Sequence, residues 1–248
     1  MVFKRNEVRT FPTSDQFLGN KRLNDIIYGF FQTHSYLTEN KERYCLKKET
    51  SAARVVEYFQ SLPEAKDCPV SERTVREMIK LFAGAGILKE GELDKKKVYF
   101  LPDLEKGEFV YIKTDTLRYL VNTATSNVIK VYAFLKKKYQ QHIDFKYTEP
   151  YRFSQRKLLE VLGYNPDINN AETAKMVKDI INCLENNKLI EASKSWVKTD
   201  SGNATNYYIL ENVYEDYYDN FPAANTKKSD NVIATPVPLS AEEFRKLF

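Results

Sequence analysis

The stretch SERTVREMIKLFAGAGILKE, residues 71–90, decides the fold of this chain. Starting at Val75, its apolar residues recur at i, i+3, i+4 and i+7, which is the spacing of one buried helical face. Ser71 precedes the pattern and is a favourable helix N-cap. The Ile-Leu pair at 87–88 indicates the start of a strand. The stretch therefore predicts a capped amphipathic helix that runs into a strand.

A second stretch, VKDIINCLENNKLIE from Val177, repeats this pattern. Six apolar positions match at an offset of 102 residues: Val75, Met78, Ile79, Phe82, Ile87 and Leu88 correspond to Val177, Ile180, Ile181, Leu184, Leu189 and Ile190. A repeat at fixed spacing indicates that one structural unit occurs twice.

The match extends along the chain on both sides of these two stretches. Upstream, Ile26, Ile27 and Phe30 match Val128, Ile129 and Tyr132 at an offset of 102, and Val55, Val56 and Phe59 match Leu158, Leu159 and Leu162 at 103. Downstream, residues 98–101 match 207–210 at 109, which predicts a longer second hairpin. Each copy thus has the predicted order of long helix, short helix, turn, second helix and hairpin.

Capping residues support the predicted helix boundaries. Ser51 and Ser154 precede the short helices as N-caps, and Gly163 follows the second of them as the residue after the helix end. Asn169 with Glu172 has the spacing of a capping box at the next helix.

Composition and charge exclude several classes of protein. The 248 residues contain two histidines, no CxxC pair and no glycine followed by lysine, so a zinc site and a P-loop are not expected. No Rossmann fingerprint or GxSxG elbow occurs, and we expect no catalysis and no cofactor. No apolar stretch is long enough to span a membrane, and the three widely spaced cysteines are typical of reduced thiols in a cytosolic protein.

The charge is distributed unevenly. Residues 1–104 carry a net charge of +3, residues 105–210 carry +4, and residues 211–248 carry −3. A mildly basic body is compatible with nucleic acid, although many solvated surfaces have the same balance.

A helix–turn–helix followed by a hairpin resembles the winged-helix DNA-binding domains, and residues 71–90 are similar to a recognition helix running into a wing. The resemblance implies a mainly α fold with small β wings, in two tandem winged-helix (helix-turn-helix) domains. The expected divisions are an N-terminal arm at 1–19, winged helix 1 at 20–102, winged helix 2 at 109–210, an amphipathic helix at 211–222, and a linker with an interaction peptide at 223–248.

Double-stranded DNA presents mainly hydrogen-bond acceptors, so a reading helix needs cations, amides or hydroxyls opposite its apolar stripe. The candidate residues on the two helices are Arg73, Thr74, Arg76 and Lys80, and Thr173, Lys175, Lys178 and Asn182. Candidate backbone contacts are Lys95, Lys96 and Lys97 on the first wing, Lys194 and Lys198 on the second, and Arg156 and Lys157 at a helix start. Interleaved acids leave a simple solvated helix face as the alternative.

Residues 109–122 and the C-terminal peptide indicate the biological role of the protein. FVYIKTDTLRYLVN, residues 109–122, predicts a strand and a short helix ahead of the long helix at 126–141. This arrangement resembles the replication initiators and replisome organisers of plasmids and phages.

At the C-terminus, a capped stripe of Phe244, Leu247 and Phe248 follows a Pro- and Ser-containing linker, which is how a tethered peptide is built. The peptide could bind replication machinery, a second copy, or the protein's own body.

We therefore expect a sequence-specific double-stranded DNA-binding protein, with replication initiation for a plasmid, phage or mobile element as the first interpretation. A transcriptional regulator is the second. A scaffold that uses winged helices to bind proteins is the third, and it would show no salt-sensitive affinity for DNA.

Overall fold

The computed structural model describes residues 8–18, 24–62, 70–102, 104, 108–144, 151–167, 170–187, 189–199 and 202–211. The chain divides into two compact units, Met1–Ala133 and Phe134–Phe248. The division falls inside one helix that contributes residues to both units. No helix in these described ranges is long and apolar enough to cross a membrane.

Helices and small antiparallel sheets make up the first unit. Its elements are β1 (Val8–Pro12), α1 (Asp15–Leu18), α2 (Asp25–Thr33), β2 (Tyr36–Leu37), β3 (Arg43–Leu46), α3 (Ala52–Ser61), α4 (Glu72–Gly84), β4 (Lys89–Leu93), β5 (Lys96–Leu101), β6 (Phe109–Lys113), α5 (Thr114–Thr123) and the start of α6 (Ser126–Asp144).

The second unit contains the remainder of α6 and repeats part of this order. Its further elements are β7 (Tyr151–Ser154), α7 (Gln155–Val161), α8 (Ala171–Asn186), β8 (Glu191–Thr199) and β9 (Gly202–Glu211).

Three strands of each copy share one order, and the first sheet has β2 as a fourth strand beside β3. In the first, β3 precedes the helix pair α3–α4 and pairs antiparallel with β5, which also pairs with β4. In the second, β7 precedes α7–α8 and pairs antiparallel with β9, which also pairs with β8. The sequence pattern did not predict β3 and β7, because each has only four residues and lacks a clear alternation of its own.

The pairing of β3 with β5 and that of β7 with β9 each consist of four residue pairs. Arg43 lies opposite Leu101, and Tyr151 lies opposite Ile209, so both strands have moved by 108 residues. Cys45 and Phe153 correspond at this offset, and both are buried. With β3 and β7 aligned at this offset, the last strand is offset by 108 residues, one fewer than in the sequence match. Such a slip would turn every side chain to the opposite face of the sheet.

The helix caps follow the sequence closely. The hydroxyl oxygens of Ser51, Ser71 and Ser154 each accept a hydrogen bond from the backbone N–H three residues later. Gly163 adopts a φ of +74°, the left-handed conformation that closes a helix end. The capping box of α8 is formed by Asn170 and Thr173, so the predicted pair of Asn169 and Glu172 was displaced by one residue.

The repeated apolar positions form the cores of the two copies. On α4, Val75, Met78 and Phe82 are buried, and Ile79 is half-buried. On α8, the four equivalent side chains are all buried: Val177, Ile180, Ile181 and Leu184. The predicted helical stripe is therefore the face on which each helix packs.

Part of the predicted N-terminal arm belongs to the core of the first unit. β1 pairs antiparallel with β6, and Phe11 packs edge-to-face on Tyr28 with ring centroids 5.5 Å apart. Phe17 and Phe82 also contact the Tyr28 ring edge-to-face. Four aromatic rings thus join the N-terminal segment to the helices. The boundary expected at 103–108 differs from the observed division, because β6 and α5 belong to the first unit.

Candidate nucleic-acid interface

The exposed face of α4 carries the predicted cations. Arg73, Arg76 and Lys80 are exposed on the side away from the buried Val75–Phe82 stripe. Ser71 caps the helix, and the apolar stripe fixes its rotation about its own axis. The sequence therefore determines which side chains of α4 reach solvent.

The exposed face of α8 carries hydrogen-bond donors at the same spacing. Lys175, Lys178 and Asn182 are exposed, and each lies 102 residues after its counterpart on α4. Each helix therefore presents two cations followed by a polar side chain with hydrogen-bond donors. Such groups can donate to phosphate oxygens and to base edges.

The two threonine hydroxyls are used within the caps. Thr74 Oγ1 lies 2.9 Å from Ser71 Oγ at the start of α4. Thr173 Oγ1 donates to the Asn170 carbonyl oxygen at 3.0 Å and accepts from the Asn170 N–H at 3.2 Å. These hydroxyls therefore stabilise the helix starts, whereas the sequence predicted them as DNA contacts.

Ion pairs with acids on the same helix engage several of the cations. Arg73 Nε donates to Glu77 Oε1 at 2.9 Å, and Arg76 pairs with Glu72. Lys175 Nζ lies 3.7 Å from Asp179 Oδ2. The hydrogen bond and charge of Glu77 raise the pKa of Arg73 above its ordinary value. Within the described residues, Lys80 and Lys178 have no ion-pair partner.

The tip of the β4–β5 hairpin carries the predicted lysine triplet. Asp94 and Lys95 form a two-residue turn, and both have positive φ, 50° and 61°, as a type I′ turn requires. Lys96 and Lys97 begin β5, and all three lysines are exposed. Both central residues adopt the left-handed backbone conformation, so the turn is tight. The three lysines are consecutive in the sequence at this tip.

The other predicted cations occupy different settings. Arg156 and Lys157 lie in the first turn of the short helix α7. Arg156 pairs with Asp167 at 2.7 Å, and Lys157 pairs with Glu160 at 2.9 Å. Lys194 and Lys198 lie in β8, opposite Tyr207 and Asn203 of β9, and their side chains fall outside the described part of the structure. The predicted tail residues Phe244, Leu247 and Phe248, like the segments 212–222 and 223–248, also lie outside the described residues.

The first unit contains a buried polar cluster that no local sequence pattern predicts. Asp25, fully buried at the start of α2, accepts a hydrogen bond from Ser126 Oγ at 2.9 Å and lies 3.6 Å from Lys130 Nζ. Burial raises the pKa of Asp25 to about 7. The spacing of 101 to 105 residues between these partners gives no local signal in the sequence.

Comparison with models of protein families, with curated proteins and with solved structures finds no match to this chain. In the described ranges, no group of three or more His, Cys, Asp or Glu side chains is placed to hold a metal ion. The chemistry that these surfaces offer is hydrogen-bond donation and charge.

Proposed function

We propose that this chain is a sequence-specific double-stranded DNA-binding protein, built from two winged-helix modules and without catalytic activity. The observation that carries the proposal is the repeated topology. Helix, strand, helix pair and hairpin occur twice, and the first strand pairs with the last strand in one register at an offset of 108 residues. This is the order of elements found in winged-helix domains.

Matched side chains add support from chemistry. α4 and α8 present cations at equivalent exposed positions, and the first hairpin has three exposed lysines at its tip. In winged-helix domains the second helix of the pair enters the major groove and the wing contacts the backbone. We assign base contacts to Arg73, Arg76, Lys175 and Lys178, and backbone contacts to Lys95, Lys96 and Lys97.

Replication initiation for a plasmid, phage or other mobile element is the role we propose in the cytosol. The strand β6 and the helix α5 precede the long helix α6, which is the arrangement that resembles replication initiators. A tethered C-terminal peptide suits recruitment of replication machinery better than it suits a simple repressor. Neighbouring genes and repeated binding sites near the gene would separate this role from transcriptional regulation.

Selection of bound duplexes from a random pool tests the proposal. We expect an enriched sequence, and an affinity for it that falls steeply with salt concentration. Arg73→Ala should cost about 1–3 kcal/mol on the selected site and relax the preference at one base pair. Equal affinity for every duplex would contradict sequence specificity, and the absence of salt-sensitive binding would contradict DNA binding.

One observation favours a protein-binding scaffold as the alternative. Arg73, Arg76 and Lys175 are already paired with acids on their own helices, so a part of their charge is neutralised. A scaffold would retain these pairs and bind no duplex. The same selection experiment therefore separates the two functions.

A further inference from the structure

One ion pair occurs at the same position in both copies. Arg73 pairs with Glu77 on α4, and Lys175 pairs with Asp179 on α8, each four residues apart. Both members of the second pair lie 102 residues after those of the first. All four side chains are more than half exposed, so packing does not require an acid at either position.

These acids leave the two helices with little net charge. α4 contains three cations and two anions, and α8 contains two cations and three anions. Non-specific attraction to phosphates scales with the number of cations that meet the backbone. The two helices are therefore poor phosphate binders as a whole, whereas the hairpin tip at residues 95–97 carries three adjacent cations.

Each of the two carboxylates has a second oxygen that can accept a hydrogen bond. Glu77 uses Oε1 for Arg73, and Asp179 uses Oδ2 for Lys175. The second oxygen of each carboxylate has no partner within the described part of the chain. A carboxylate accepts from the amino group of cytosine in the major groove but repels phosphate.

We propose that Glu77 and Asp179 are specificity-determining residues, each of which orients the cation four residues before it and accepts a hydrogen bond from a cytosine amino group. This inference rests on the proposed DNA-binding function. The acids suppress binding to arbitrary duplexes, and the free oxygen adds a contact that only the correct base can donate. Discrimination thus comes from the helices, and general affinity comes from the hairpin.

The test compares Glu77→Gln, Asp179→Asn and the double variant with the full-length wild type. Dissociation constants are measured for the selected duplex and for a scrambled duplex across a salt series. We expect affinity for the scrambled duplex to rise, affinity for the selected duplex to fall, and the ratio of the two to drop between about fivefold and 100-fold. A repeated selection should also lose one cytosine preference per substituted module.

Glu57→Gln is the matched control. Glu57 lies on α3, is similarly exposed, and pairs with Arg54 at 2.7 Å. We expect this variant to retain the wild-type ratio. An equal rise in affinity for both duplexes would overturn the inference, since the acids would then be general repulsive charges. A drop of the same size in Glu57→Gln would overturn it as well.

Duplex binding by the wild type distinguishes a failure of the proposed DNA-binding function from a failure of the inference about Glu77 and Asp179. If it binds duplexes without any sequence preference, the inference about Glu77 and Asp179 fails and DNA binding stands. If it binds no duplex, both fail. If it prefers one sequence and the variants keep that preference, the proposed function stands and the inference fails alone.

Discussion

Asp25 lies in an environment very different from the solvent that usually surrounds an aspartate. Its carboxylate is fully buried at the start of α2, where Ser126 donates a hydrogen bond to Oδ2 and Lys130 lies 3.6 Å from the same oxygen. Burial disfavours the charged carboxylate more than the Lys130 charge and the hydrogen bonds favour it, so the pKa of Asp25 rises to about 7. The folded protein therefore binds this proton more tightly than the unfolded chain does.

This difference gives stability a pH dependence with a definite sign. Between about pH 4 and pH 7 the unfolded chain has lost the Asp25 proton and the folded protein retains it, so the free energy of unfolding falls as pH rises. The contribution is at most about 1.4 kcal/mol per pH unit. In Asp25→Asn this contribution is absent, so the stability of the variant relative to wild type should increase with pH across this range.

Urea unfolding of wild type and Asp25→Asn at several pH values measures this difference. Asp115→Asn serves as the control, because Asp115 is an exposed aspartate of α5. This variant shows how much of any pH dependence comes from removing a surface carboxylate rather than the buried one. A constant difference for Asp25→Asn would show that Asp25 does not titrate in this range in the folded state.

At the scale of elements, Gly29 allows α2 to approach α5 closely. A Cβ atom at this position would lie 2.5 Å from Val121 Cγ2 and 3.5 Å from Leu117 Cδ1. Gly29→Ala should therefore destabilise the protein by about 1–3 kcal/mol, as overpacking of a core does. Thermal or urea unfolding measures the effect, and the added substitution Val121→Ala should recover part of the loss.

Gly84 on α4 provides a matched control for Gly29. A Cβ atom there would meet nothing within 4 Å, and the residue is exposed. Gly84→Ala should leave stability unchanged or raise it by up to about 1 kcal/mol, because alanine favours the helix. Equal losses in the two variants would point to backbone conformation rather than to helix packing.

Lys95 in the β4–β5 turn has both a left-handed backbone conformation and a positive charge. Lys95 has a φ of 61°, which an L-residue adopts at a cost and glycine adopts freely. Lys95→Gly should raise the free energy of unfolding by about 1 kcal/mol while lowering the salt slope of DNA binding by about one. Lys95→Gln should lower the salt slope equally without the gain in stability. An unchanged slope in both variants would remove Lys95 from the DNA interface.

At the scale of the whole molecule, removal of the tail tests whether the proposed DNA binding and the proposed recruitment of a partner are separate. Residues 223–248 carry four basic and three acidic side chains, so they are nearly neutral, and they lack a counterpart of the helix pair; their removal should leave duplex affinity nearly unchanged. Replication driven by the protein in cells should be lost, because Phe244, Leu247 and Phe248 would no longer reach a partner. A large decrease in the melting temperature of the truncated protein would show instead that the peptide packs on its own body.

The repeat and most helix ends could be predicted because their signals are local. The spacing of Val75, Met78 and Phe82 defines a helical face within two turns, and Ser71 bonds a backbone N–H only three residues away. The same locality identified the exposed cations at Arg73 and Lys175, since the side opposite an apolar stripe faces solvent. The lysine tip between β4 and β5 followed from turn-forming residues in the same way.

The features that escaped prediction all depend on contacts between distant residues. β3 and β7 exist because β5 and β9 provide backbone partners 50 or more residues away, and those pairings set the offset of 108. β1 is ordered by β6 across about 100 residues, which moves the division between the units away from 103–108.

The sequence alone thus determined the two-copy pattern, most of the helix caps and the exposed faces of α4 and α8, because neighbouring residues carry those signals. Only the tertiary structure decided the strands β3 and β7, the burial of Asp25 beside Lys130, and the packing of Phe11 and Phe17 onto Tyr28 of α2. Backbone pairing and burial across large sequence separations are stabilised by the whole fold, and no local pattern encodes them.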